Sequence, residues 1–121
     1  MAVALIVDDD VHIRESLSEY LRGEGFDVLA AGHGLEALEV ARRGPRPDVI
    51  VLDLLMPVMD GWDFRAAQLA SPDLADIPVV VISAAGFTAA TVLGQLPVSA
   101  YLTKPVNLDS LVAAINRTVR F

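Results

Sequence analysis

The chain has 121 residues, 9 Lys+Arg against 16 Asp+Glu, and a formal net charge of −7. That length suits one ordinary domain. The acidity excludes the basic face expected of a nucleic-acid-binding module and gives no reason for docking on an anionic membrane. The imbalance is local: residues 1–61 hold 12 acids and 5 bases, whereas residues 62–121 hold 4 of each. Eight of the nine bases are Arg, and Lys104 is the only Lys.

Apolar residues make up 54% of the chain, enough for a core. No apolar run reaches the ~18 residues of a membrane span. The early run Ala2–Val7 stops at three aspartates and has no basic residue before it, so it does not read as a signal peptide. There is no Cys, hence no disulfide framework and no thiolate metal site. A cytoplasmic protein is the simplest expectation.

Short apolar runs alternate with amphipathic segments. Ala2–Val7 is the first predicted strand, and residues 11–22 follow as a helix with Val11, Leu17 and Leu21 as apolar positions. Asp10 is its expected N-cap, and Gly23 and Gly25 its stop. Phe26–Ala30 is the second strand. Leu35, Leu38 and Ala41 mark a second helix, ended by Gly44 and Pro45. Val49–Leu52 is the third strand, and residues 61–70 form a helix carrying Trp62, Phe64 and Leu69. Val79–Ile82 is the fourth strand, followed by a short apolar helix over 88–96 that Gly94 and Pro97 limit. Ala100–Leu102 is the fifth strand. The last helix carries Leu108, Leu111, Val112, Ile115 and Val119 at helical spacing. Asn107 can cap it, Asp109 lies in its first turn, and Arg117 and Arg120 lie in its last, as the helix dipole favours.

Five strand–helix repeats imply one parallel sheet with helices on both faces, because right-handed crossovers leave little else. Consecutive apolar residues in the first, third and fourth strands suit burial on both faces. In such sheets ligands bind beyond the carboxyl ends of the strands. Those ends carry Asp8, Asp9 and Asp10 after strand one, Asp53 after strand three, Ser83 after strand four, and Thr103, Lys104 and Pro105 after strand five. If strands one and three are neighbours, Asp8, Asp9 and Asp53 converge, and three close carboxylates need a counter-charge. Mg²⁺ suits them, since it takes oxygen ligands and keeps waters that a phosphate can replace. A carboxylate nucleophile, a metal, a lysine and a hydroxyl together resemble an aspartyl-phosphate site. Taken singly, each residue has an ordinary reading: Asp10 as a helix cap, Asp8, Asp9, Asp53 and Ser83 as turn residues, Lys104 as a solvated loop cation. The combination on one rim outweighs these. Met56 and Met59 read as packing, and Trp62 as helix packing. His12 and His33 are isolated and are assigned to no metal.

Four motifs, in this order and spacing, resemble the receiver domain of two-component response regulators, the CheY-like family. They are Leu5 to Asp10 (LIVDDD), Asp53 to Gly61 (DLLMPVMDG), Val79 to Ala84 (VVVISA) and Tyr101 to Pro105 (YLTKP). The resemblance covers the whole chain, taken as a single receiver domain over 1–121. It implies a (βα)5 α/β fold, a doubly wound, flavodoxin-like parallel sheet with strand order 2-1-3-4-5. It implies that Asp53 accepts a phosphoryl group from a histidine kinase or a phosphotransfer domain. Asp9 is expected to bind Mg²⁺ directly (Mn²⁺ being an alternative), Asp8 mainly through water, with the backbone carbonyl of Leu55 as a further ligand. Ser83 is expected to bond the phosphoryl oxygens, and Lys104 to pair with Asp53 and then with the phosphoryl group. Tyr101 is the expected aromatic switch, turning inward as Ser83 moves. Pro105 is expected to follow a cis peptide, and Asp60 with Gly61 to start the third helix.

The implied role is a phosphorylation-activated signalling switch rather than an enzyme acting on a separate substrate. Phosphorylation would change the face made by helix 88–96, the fifth strand and the last helix, and so control a downstream protein or effector domain, with homodimerisation as one outcome. The stretch Gly94 to Ser99 and Val106 depart from the family's usual pattern at that face. Leu55 and Ala85, both apolar and beside the site, cannot orient a water, so slow self-dephosphorylation is expected. A phosphatase of the haloacid-dehalogenase type is a rival, but Leu55 stands where that family places its second Asp, and no cap segment is present. A module that has lost phosphorylation is disfavoured by the full acid–Ser–Lys set. The cognate kinase, the output and the extent of the natural chain stay open.

Overall fold

The structure is a computed structural model that describes residues 2–56, 58–83 and 98–119. Helix 88–96, Ala85 and Pro57 therefore lie outside the described residues. Five strands form one parallel sheet: β1 Val3–Val7, β2 Asp27–Ala31, β3 Val49–Asp53, β4 Val79–Ser83 and β5 Ala100–Thr103. Their order is β2-β1-β3-β4-β5, and every neighbouring pair is parallel. The helices are α1 Val11–Gly23, α2 Gly34–Arg43, α3 Gly61–Leu69 and α4 Leu108–Thr118. The expected doubly wound α/β fold is thus present in the described residues.

The three central strands are buried along their whole length, which explains their consecutive apolar residues. Their side chains alternate between two cores. Leu5, Val7, Ile50, Leu52, Val79 and Val81 meet Ala37 and Leu38 of α2 and Phe64 of α3 on one face. Ala4, Ile6, Val49, Val51, Val80 and Ile82 meet Leu17 and Leu21 of α1 and Leu111 and Ile115 of α4 on the other. Each large aliphatic side chain buried this way contributes about 1.5–3 kcal/mol. The edge strand β2 is largely solvent-facing and begins one residue later than its apolar pattern suggests, because Phe26 closes the turn after α1 by donating its N–H to Leu21 O.

Helix starts follow cap chemistry. Asp10 accepts from His12 N and Ile13 N, Asp60 from Asp63 N, and Asn107 from Ser110 N. His33 was not foreseen as a cap, yet its Nδ1 accepts from Glu36 N at 3.3 Å and starts α2. Val11, Leu35 and Leu69, read as apolar helix positions, are 43–47% exposed, so the stripes that anchor α1, α2 and α3 are narrower than expected. A second unforeseen feature lies at the end of α3. Gln68 is fully buried and donates Nε2 to Leu74 O and Ile77 O, both at 2.9 Å, while Arg65 donates to its Oε1 at 2.7 Å. This polar knot orders the turn that leads into β4, and burial pulls the Arg65 guanidinium below its usual pKa.

Candidate functional site

The register of β1 against β3 builds the site. Val7 pairs with Leu52, so the next residues, Asp8 and Asp53, leave adjacent strand ends side by side. Carboxylate oxygens of Asp8, Asp9 and Asp53 lie within 4.8 Å of one another. Asp8 is 0% and Asp53 3% exposed, whereas Asp9 faces solvent. Asp8 is held from several directions: its N–H donates to Ala31 O, its carbonyl accepts from Arg14 Nη1 at 2.7 Å, and its Oδ1 accepts from Asp10 N at 2.9 Å. Asp53 Oδ1 accepts from Leu55 N at 3.3 Å, which bends the chain away after β3. Gly61 lets α3 start against this bend: a Cβ there would lie 2.6 Å from Asp53 O and 2.7 Å from Leu54 Cα.

β5 brings the counter-charge. Lys104 Nζ sits 2.9 Å from Asp8 Oδ2 and 3.2 Å from Asp53 Oδ2, while its backbone N–H donates to Ser83 O at 2.7 Å. The Lys104–Pro105 peptide is cis, as expected from the motif. Burial and the Asp8 charge hold the Asp53 carboxyl above its usual pKa, and Lys104 and the Leu55 N–H only partly offset them. Burial alone would lower the Lys104 pKa, but Asp8 and Asp53 outweigh it and raise it. Both partners can rise because one ammonium is shared by two buried carboxylates and stands closer to Asp8, leaving Asp53 under-compensated.

Three carboxylates thus face one directly paired ammonium, an excess of two negative charges. That donor set fits a hard divalent cation: all ligands are oxygen, and the buried Asp8 Oδ2 has no hydrogen bond beyond its ion pair. Ser83 Oγ is likewise buried and without a hydrogen-bond partner among the described residues, at the end of β4, which pairs with β3 as Asp53 with Ile82. Tyr101 is half-buried against the core on the α2–α3 face, paired in register with Val81. Asp8, Asp9, Asp53 and Lys104 are therefore brought together as the sequence suggests. Ser83 lies on the neighbouring strand end, and Leu55 beside Asp53. The cap made by His33, the Arg65–Gln68 knot and the close approach at Gly61 are what sequence reasoning missed.

No described helix is long and apolar enough to cross a membrane. Comparison with known proteins gives the same picture as the geometry. The family model for the response regulator receiver domain matches residues 4–116. The chain is 38% identical over 117 residues to the DNA-binding response regulator MtrA of Mycolicibacterium paratuberculosis, which covers 96% of this chain and 50% of that protein. It is equally similar, at 38%, to the response regulator MprA of Mycobacterium leprae. The chain spans about half the length of these curated relatives. Among solved structures, the chemotaxis protein CheY4 of Vibrio cholerae superposes with a TM-score of 0.87 at 30% identity, covering 98% of this chain and 99% of that one. A response regulator receiver protein of Pseudomonas putida gives 0.88 at 30% identity, covering 96% of each. With the sheet order, the strand-end chemistry and these matches in agreement, the chain belongs to the response regulator receiver domain family of two-component signalling.

Proposed function

We propose that the chain is a phosphorylation-activated switch whose acceptor is Asp53. The observation that carries this is the Lys104 ammonium lying between the buried carboxylates of Asp8 and Asp53. Asp53 attacks the phosphorus of a phosphohistidine on a histidine kinase or phosphotransfer domain. The new Asp53 O–P bond forms as the P–N bond breaks, and the departing imidazole nitrogen takes up a proton. The β3 end holds Asp53 rigidly, so most of the catalysis is positioning and charge neutralisation. Asp9 and Asp53, with the Leu55 carbonyl, would hold a divalent cation, and Asp8 would support it mainly through water. When bound, Mg²⁺ (or Mn²⁺) neutralises charge on the phosphoryl oxygens. Lys104 moves its ion pair from the Asp53 carboxylate to the phosphoryl group. Ser83 Oγ, unpartnered within the described residues, donates a hydrogen bond to a phosphoryl oxygen.

Phosphorylation adds charge and acceptor oxygens at the rim. Drawing Ser83 and Lys104 toward Asp53 biases β4 and β5, and Tyr101 on β5 carries the change outward to a downstream protein or effector domain, homodimerisation being one readout. The reaction takes place in the cytoplasm and modifies the chain itself, so the chain acts as a switch and catalyses only its own phosphotransfer and dephosphorylation. The test is treatment with beryllofluoride and Mg²⁺, followed by amide NMR. Chemical-shift changes are expected to spread from Asp53 to Ser83 and β5, to need Mg²⁺ and to vanish in Asp53→Asn. Absence of any response in the wild-type chain would overturn the proposal.

A further inference from the structure

One residue near Asp53 is unfavourable on two separate counts. Val58 has φ 70, the left-handed region, the only non-glycine residue to do so among the described residues. For a β-branched side chain this is a true outlier, costing about 1–2 kcal/mol. The same side chain is 74% exposed, the highest value among the exposed large hydrophobics, and it joins neither core. Among the described residues, no core packing offsets the strain. The backbone is held in this shape from both sides: Met59 O accepts from Gly34 N at 3.2 Å, and Gly61 N donates to Leu54 O at 2.9 Å.

The place matters as well. Five large hydrophobics are conspicuously exposed among the described residues: Val11, Leu35, Leu55, Val58 and Leu69. Four of them lie at the carboxyl-end rim of the sheet. Val11 and Leu35 are at the starts of α1 and α2, and Leu55 and Val58 are in the loop after β3. Only Leu69, at the end of α3, is at the opposite end. Asp53 is 3% exposed at the base of this rim, so a protein whose histidine reaches it must lie across the rim.

We propose that Val58 is a specificity contact for the phosphodonor protein, an apolar anchor that the β3–α3 loop holds up at the edge of the acceptor site. The proposal rests on the phosphoacceptor reading above. The occupant is a phosphohistidine-bearing domain with an apolar patch next to the histidine, and with basic rather than acidic groups facing the exposed Asp9. Leu55 flanks Val58 in the same loop. Strain is retained at Val58 because the partner, not the free chain, uses the side chain.

The experiment compares two donors. Phosphoramidate carries a P–N bond but is too small to touch the rim. The second donor is the histidine kinase that labels the wild-type chain fastest in a panel of purified kinases autophosphorylated with radiolabelled ATP. Val58→Gly relieves the strain and deletes the side chain, whereas Val58→Thr keeps the β-branched shape and puts a hydroxyl in the contact. Both variants are expected to slow transfer from the kinase by about tenfold, the loss typical of one apolar anchor. Labelling by phosphoramidate is expected to stay unchanged, and Val58→Gly to unfold at a higher temperature. Kinase transfer at the wild-type rate in either variant, with normal phosphoramidate labelling, would overturn the proposal while leaving the phosphoacceptor reading intact. Failure of phosphoramidate to label the wild-type chain at all would remove both.

Discussion

Replacing Asp53 with Asn should make the folded chain more stable, although it removes an ion pair. At 3.2 Å the attraction between Asp53 and Lys104 is about 5 kcal/mol at an effective dielectric of about 20. Against it stand the repulsion from Asp8, at least about 3.5 kcal/mol at the 4.8 Å limit, and about 1 kcal/mol from the solvent-screened Asp9. These terms nearly cancel. The desolvation of an ionised carboxylate that is 3% exposed then decides the balance. Asn has nearly the same volume, can still accept from Leu55 N, and leaves Lys104 entirely to Asp8. The expected gain is about 1–2 kcal/mol, roughly 3–8 °C in unfolding midpoint for a domain of this size. It should be measured by thermal or urea unfolding at neutral pH with a chelator present. The sign with pH follows from the raised Asp53 pKa. A carboxyl whose folded pKa lies above its unfolded value weakens the fold when ionised, and the folded state regains that stability as pH falls through the folded pKa. The gap between wild type and Asp53→Asn should therefore close on acidification, and also on adding Mg²⁺, which stabilises the wild type more. An Asp53→Asn chain no more stable than wild type at neutral pH without metal would refute this reasoning.

Other substitutions separate backbone from side-chain contacts. Gly61→Ala pushes a Cβ to 2.6 Å from Asp53 O, a backbone atom, and should cost more than about 2 kcal/mol while lowering phosphoryl acceptance, because it displaces the acceptor strand end. Gly34→Ala meets Met59 Cγ, Sδ and Cβ at 2.6, 2.8 and 2.9 Å, of which Cγ and Sδ can rotate aside while Cβ moves only with its backbone, and no backbone atom is among these nearest three. It should therefore cost less than Gly61→Ala in the same unfolding series, and equal costs would contradict the assignment. Gln68→Ala strands Ile77 O in the interior and leaves Leu74 O with the Ile77 N–H alone, and should cost about 1–3 kcal/mol by urea unfolding; a loss under about 0.5 kcal/mol would show that the turn before β4 does not depend on it. The side chain of Leu55, a residue 52% exposed beside Asp53, offers no polar group to a hydrolytic water. The phosphorylated chain, followed with Mg²⁺ and no phosphatase, should accordingly decay slowly, and a half-life of seconds would contradict that.

The strand ends were the most legible part of the sequence. Three buried strands announce themselves as consecutive apolar residues, and each stops at a polar residue on the same rim, so Asp8, Asp53 and Ser83 could be placed before any coordinates. Lys104 stood out because it is the only lysine. Features that depend on how a side chain turns, or on how the chain folds back over it, were not legible. His33 serves as a cap only because its ring turns back to Glu36 N, and Gln68 looks like a surface residue until its two carbonyl partners, six and nine positions later, fold over it. Helical periodicity also overstated burial at Val11, Leu35 and Leu69. These residues lie at or near helix ends, where the core-facing stripe has already run past the sheet. The strain at Val58 was hidden for a related reason: one anchor of its loop, Gly34 at the start of α2, belongs to another part of the chain.

The most direct test of the central claim is to treat the chain with phosphoramidate and Mg²⁺ and locate the modification by intact-mass and peptide mass spectrometry. One phosphoryl group is expected on Asp53, dependent on the metal, labile to hydroxylamine as an acyl phosphate, and absent from Asp53→Asn. A stable phosphoryl group on another residue, or equal labelling of Asp53→Asn, would contradict it.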